Sequence, residues 1–187
     1  MKALTSKEIT RVGLFTALTA VGAFIPAIPI GPVPITLQTL FTALAGTIMG
    51  ARLGMWSQII YVLLGIIGLP IFSGFKGGAS SILMPSFGYL IGFILGTYVT
   101  GLYIQNRKNK NFINIFISVL LGYAVIYLVG LPYMYIILNK VMRAPISMIM
   151  AIKTGLLVFI PGDLIKAIIV SIMVNKIFSK VNFKIEN

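Results

Sequence analysis

The chain has 187 residues, 58% hydrophobic and 10% charged, with no cysteine, no histidine and a formal net charge of +12. A mean hydropathy of +1.03 lies outside the range of soluble globular domains and defines an integral membrane protein. With only three acids and no Cys or His, disulfides, thiolate chemistry, a typical zinc site and a two-carboxylate acid–base pair are all excluded, and no enzyme is expected.

The cations sit in short clusters between apolar runs, the pattern of topology signals and not of a nucleic-acid surface. No Gly-Lys-Ser/Thr sequence occurs, so a phosphate-binding ATPase loop is absent and energy for transport has to come from an ion gradient or a partner.

In chain order, Met1 to Arg11 is polar and basic and is followed by an apolar run to about Ala27. The start looks like a signal peptide, with Val21-Gly22-Ala23 as a loose cleavage site, but more membrane sequence follows and the run reads as a first spanning helix over 9–27. Pro26 and Pro29 end it. Gly13/Ala17 and Thr16/Ala20 form small-xxx-small rows, which allow close helix approach, either to a partner or to a neighbour within the chain.

The segment Ile28 to Thr36, with Pro29, Pro32 and Pro34, is apolar yet incompatible with a helix. Such backbone is tolerated at membrane depth where protein or a cavity covers it, and a lid over a site meets that condition. Two short helices are expected over 37–50 and 54–69, joined at Ala51-Arg52-Leu53. Gln38, in the first turn, caps the helix or binds a ligand. Pro70 to Ser81, containing Gly77 and Gly78, is a Gly/Ser-rich loop.

A fourth helix over 85–104 opens with Ser86, Phe87, Gly88 and Tyr89; a fifth follows over 112–138, after the Arg107, Lys108, Lys110 cluster. Ile146 to Ile152 is too short to span, and the sixth helix is expected over 159–178. The expected fold is therefore all-α, a single transmembrane domain of six transmembrane helices over residues 1–187.

Six spans place both termini on one side. The N-terminus, Arg52, the Arg107 cluster and the tail hold ten cations, against four (Lys76, Lys140, Arg143, Lys153) in the opposite loops. The positive-inside rule then makes both termini cytoplasmic in a cell-membrane protein. The Pro-rich loop, the Gly/Ser loop and the start of the last helix converge on the outer side, as a pocket open to the outside.

Asp163 stands at that last helix start, and the other two acids, Glu8 and Glu186, lie near the termini. An ionisable residue at membrane depth costs a few kcal/mol or more, which makes it a functional-site hypothesis by default. Pro161 suits the first turn of a helix, the helix dipole favours a carboxylate there, and Lys166, three residues on, shares its face. Mutual neutralisation is the structural alternative. It is a weak reason to keep the pair, because burial costs desolvation that attraction only just recovers.

Taken together, Pro32-Val33-Pro34-Ile35-Thr36-Leu37-Gln38, Gly65-Ile66-Ile67-Gly68-Leu69-Pro70-Ile71-Phe72-Ser73-Gly74, Gly88-Tyr89-Leu90-Ile91-Gly92-Phe93 and Pro161-Gly162-Asp163-Leu164-Ile165-Lys166-Ala167 resemble BioY, the biotin-binding S component of energy-coupling factor (ECF) transporters. The resemblance covers nearly the whole chain, in order and spacing. It implies an S-component-like membrane subunit that captures biotin outside. The resemblance further implies a transmembrane coupling subunit and two ATPase subunits that drive release; action without that module, with self-association, is also compatible with the family.

Two departures stand out: Met84-Pro85-Ser86-Phe87-Gly88-Tyr89 replaces the usual Gly-Pro-Thr-Gly-Gly-Tyr, and Ala79-Ser80-Ser81 replaces polar residues used by some members. Biotin offers two ureido N–H donors, a carbonyl acceptor, an apolar bicycle and a carboxylate tail. On this resemblance Asp163 is expected to accept from N–H groups and Lys166 to donate to the ureido carbonyl or the carboxylate. Thr36, Gln38, Ser86 and Tyr89 are expected to complete the polar contacts, and Phe72 and the Pro-rich loop to cover the apolar body, with Gly77 and Gly78 in the covering loop. Gly13, Ala17, Thr16 and Ala20 form the expected partner-docking rows, and no cofactor or metal is implied. The rival from another class is a self-contained proton-coupled carrier using Asp163, which the lack of an obvious internal repeat disfavours.

Overall fold

The structure, a computed structural model, describes residues 4–25 and 31–180. Pro26, Pro29 and the start of the Pro-rich segment, with Lys2, Lys184 and Glu186 of the tails, lie outside the described residues. Among the described residues five long helices make up the fold: α1 (Ser6–Phe24), α2 (Gln38–Ile66), α3 (Phe87–Gln105), α4 (Phe112–Val141) and α5 (Met148–Lys180).

Four of them, α2 to α5, are long and apolar enough to cross a membrane. The expected six transmembrane helices are thus corrected: two findings lower the count, and a third extends the last helix. Helix α1 has 19 residues and carries Lys7, Glu8 and Arg11 among them. The stretches expected as separate helices over 37–50 and 54–69 run on as the single span Gln38–Ile66, broken only at Gly50, whose backbone is non-helical. The segment from Met148, which had read as too short to span, is the opening of α5, carried into its main arm Ile160–Lys180 by a π-helical turn at Lys153–Leu157.

Inside α2 the chain reverses at a single residue. Gly50 has φ 80° and ψ −176°, a conformation that a side chain would strain. Gln38 and Tyr61, which a straight helix would hold roughly 35 Å apart, are joined by a 2.7 Å hydrogen bond from Gln38 Nε2 to the Tyr61 hydroxyl. The two arms of α2 therefore fold back on one another. The Ala51 N–H, which opens the second arm without a helical partner, donates to Gln105 Oε1 at 3.0 Å.

Local sequence explains the helix starts. Thr5 and Glu8 form a capping box on α1, Asn111 accepts from Asn114 N–H on α4, and Ser147 accepts from Met150 N–H on α5. Small residues set the close packing: a Cβ built on Gly96 would lie 2.6 Å from Gly122 O, and one on Gly122 would lie 2.9 Å from Gly96 O, so α3 and α4 touch backbone to backbone.

These contacts sort the molecule into two ends. Gly101 near the end of α3 abuts the Gly50 reversal, and Lys110 before α4 lies over the Phe178 ring near the end of α5. At the other end Gly22 of α1 lies against Gln38, beside the loops before and after α2. Arg52, Arg107, Lys108 and Lys110 belong to the first end, and Asp163 to the second.

Candidate functional site

Asp163 occupies the first turn of the Ile160–Lys180 arm and is 4% exposed; Lys166 is 8% exposed. The i,i+3 spacing lets Lys166 Nζ reach Asp163 Oδ1 at 2.9 Å. The ammonium also donates to the Thr36 carbonyl at 2.8 Å and to Thr39 Oγ1 at 2.9 Å, which uses all three of its protons. Asp163 in turn accepts from the Thr39 hydroxyl at 2.9 Å on Oδ1 and from the Tyr127 hydroxyl on Oδ2. The pair therefore pins α5 to the segment before α2, to α2 itself and to α4.

A second chain of hydrogen bonds continues from it. The Thr36 hydroxyl donates to Gln38 Oε1 (3.1 Å), Gln38 Nε2 to Tyr61 (2.7 Å), and the Tyr61 hydroxyl to the Ile71 carbonyl (3.0 Å). Tyr123 donates to the Thr39 carbonyl at 3.2 Å, and Tyr89 donates to the Gly155 carbonyl at 2.7 Å.

Around these groups lies a cavity whose polar wall holds Thr36, Gln38, Thr39, Tyr127, Asp163 and Lys166, with Ser73, Ser81, Ser86 and Tyr89 on the remaining sides. Its apolar wall is aromatic and aliphatic, with Phe72, Phe87, Phe93 and Phe159 beside Val33, Pro34, Met84, Leu90 and Ile126. Phe72 packs edge-on against Tyr61 and Phe87. Tyr89, Tyr127 and Phe159 form a second aromatic set with ring centroids 6.1 to 6.4 Å apart. An apolar body with few convergent polar groups is the composition of a small-molecule site.

Of the residues singled out from sequence, Thr36, Gln38, Phe72, Ser86, Tyr89, Asp163 and Lys166 line this cavity. Gly77 and Gly78 do not; Gly78 N–H donates to the Gly65 carbonyl at 2.7 Å, and Gly77 packs on the Leu69 carbonyl, so both tie the loop to the end of α2. Sequence reasoning missed Thr39, Ser81, Tyr127 and Phe159. A signal existed for one of them: Tyr123 and Tyr127 stand at i,i+4 on α4 and put two hydroxyls on one face of an apolar helix.

The two small-residue rows of α1 point different ways. Gly13 and Ala17 are exposed, Ala20 is half-buried, and Thr16 is buried with its hydroxyl donating to the Ser57 carbonyl at 2.9 Å. Among the described residues no cluster of His, Cys, Asp or Glu has the makings of a metal site.

A helical membrane protein with one partly enclosed, aromatic cavity and a buried ion pair on its wall belongs among small-molecule transport components. The chain belongs to the BioY family, whose model matches residues 1–183. It is 38% identical over 167 residues to the biotin transporter BioY of Thermotoga maritima, covering 89% of this chain and 93% of the relative. It is 33% identical over 185 residues to the biotin transporter BioY of Lactococcus lactis, covering 96% and 94%. Among solved structures it is similar to the S-component for biotin from an ECF-type ABC transporter, with a TM-score of 0.83, 32% identity and 97% of each chain covered. The family is one of transport components and not of enzymes.

Proposed function

We propose that this chain is the biotin-binding S component of an ECF-type transporter, capturing biotin with high affinity in the cavity beside Asp163. The observation that carries the reading is the buried carboxylate on the wall of an otherwise aromatic pocket. Its two oxygens have about four lone-pair positions, of which Thr39, Lys166 and Tyr127 use three. One position on Oδ2 is left for a ureido N–H. Phe72 and Phe159 offer flat apolar surface to the bicycle, and Ser86 and Gln38 stand within the same walls.

The cations support an orientation: Arg52, Arg107, Lys108 and Lys110 lie at the end away from the cavity, so the pocket opens outside and the termini are cytoplasmic. The exposed Gly13–Ala17 row of α1 is the surface that docks a transmembrane coupling subunit, whose two ATPase subunits drive release.

Biotin titrated calorimetrically into detergent-purified protein, without ATP or an ion gradient, tests the central claim. Tight binding with a raised melting temperature is expected, because a ligand bound only to the folded state adds to apparent stability. Absence of both heat and thermal shift at excess biotin would overturn it.

A further inference from the structure

Among the described residues, two buried side-chain polar atoms have no hydrogen-bond partner in the protein: Gln58 Oε1 and Ser81 Oγ. The first lies between α1 and α2, where its own Nε2 donates to Thr19 and Ser57, and it does not line the cavity. The second does line it, on a side chain 1% exposed.

Buried hydroxyls elsewhere among the described residues find carbonyl partners, several of them on their own helix. Thr19, Thr47, Ser57, Ser118 and Ser171 each donate to a carbonyl three or four residues back, the usual local solution. Ser81 has the same carbonyl in reach, since its own N–H donates to the Gly78 carbonyl at 3.0 Å, yet its hydroxyl is turned elsewhere. The other buried polar groups of the cavity wall, Thr36, Gln38, Tyr89, Asp163 and Lys166, are all bonded within the protein.

The backbone holds Ser81 at the cavity wall. Ser81 sits in the 3-10 turn Ala79–Leu83, closed by Met84 N–H donating to the Ser81 carbonyl and anchored by Tyr133 donating to the Ile82 carbonyl. Burying a hydroxyl without a partner is unfavourable, and such a group in a folded protein calls for an explanation.

We propose that Ser81 is a ligand-contacting residue whose Oγ hydrogen-bonds directly to a polar group of the bound substrate, completing a recognition set that Lys166 cannot extend because its three protons are spent. This rests on the reading of the cavity as a biotin site.

The test compares wild type, Ser81→Ala and Ser81→Cys by biotin calorimetry and by melting temperature without ligand. Since Ser81 Oγ holds no protein group, both variants are expected to melt in the absence of biotin at or above the wild-type temperature. Their biotin affinity is expected to fall about three- to tenfold, the effect of losing a neutral hydrogen bond. A structural role would instead lower the ligand-free melting temperature. Wild-type affinity in either folded variant overturns the inference while leaving the biotin reading intact. A wild-type protein that binds no biotin overturns both.

Discussion

Lys166 and Asp163 form one buried pair that makes four further hydrogen bonds, to Thr36, Thr39 and Tyr127. Lys166→Met removes three donors at once and leaves the carboxylate buried with only the Thr39 and Tyr127 hydroxyls on it. Stranding one charge of a buried pair costs about 3 to 5 kcal/mol. Asp163→Asn leaves the ammonium with the Thr36 carbonyl and Thr39 Oγ1, and an expected cost in the same range. Combining them removes both charges, and with them the desolvation penalty that each single variant leaves unanswered. The double variant is therefore expected to recover about 2 kcal/mol or more relative to Lys166→Met, a non-additive cycle.

Biotin binding is expected to behave differently. Asp163 offers its remaining Oδ2 position to the ligand, a hydrogen bond to a charged group worth about 1.5 to 3 kcal/mol, so Asp163→Asn loses roughly ten- to a hundredfold in affinity. The double variant lacks the same acceptor and binds no better than either single one. Melting temperatures in detergent and calorimetry with biotin, measured on all four proteins, separate the two quantities. A double variant with wild-type affinity would refute the ligand contact and reduce the pair to mutual neutralisation. A double variant less stable than both singles would refute the coupling itself.

Tyr127→Phe removes one donor from Asp163 Oδ2 and is expected to weaken biotin binding severalfold, read by calorimetry, with little change in fold. Gly101→Ala places a Cβ 2.2 Å from Ala51 N and 2.3 Å from Gly50 C; backbone cannot yield there, and a loss of about 3 kcal/mol or failure to fold is expected. Gly13→Ala, with nothing within 4 Å, is its control and should melt like wild type. Ala17→Trp on the exposed face of α1 is expected to abolish uptake in cells while sparing binding; intact uptake would show that the row docks nothing. Because the chain has no cysteine, Lys76→Cys and Lys108→Cys are clean reporters of sidedness. An impermeant maleimide applied to intact cells is expected to label the first and not the second, and the reverse pattern would invert the proposed orientation.

Much of the site was legible because its signals are local. A lone acid in an apolar run, a lysine at i+3 and prolines that forbid a helix are all read within a few residues. A break between the two arms of α2 was legible too, expected at 51–53 and found one residue earlier at Gly50. Its exact residue was not, because an all-round apolar helix buried in protein and lipid carries no stripe whose phase would mark it. Thr39 was invisible for a related reason. Hydroxyls in apolar helices normally bond back to their own backbone, so their type says nothing of where they point until tertiary contacts decide it. Thr16 shows the same limit: its small-xxx-small row reads as an external surface, yet the hydroxyl turns inward to the Ser57 carbonyl.

The fold also explains how the pocket is held without a large polar core. The Thr36–Gln38–Tyr61–Ile71 relay joins the segment before α2, both arms of α2 and the loop after it. The single-residue reversal at Gly50 thereby delivers both ends of α2 to the same wall of the site. A satisfied buried network rigidifies, whereas a half-satisfied one costs stability. Here the network is nearly closed upon itself, with one position on Asp163 Oδ2 and the Ser81 hydroxyl left over. A ligand that fills those two places adds bonds without breaking any of the protein's own, and little ordering free energy remains to be supplied on binding. On this account capture needs no energy input, and release does. Any motion of α5 away from the segment before α2 would break the bond from Lys166 to the Thr36 carbonyl.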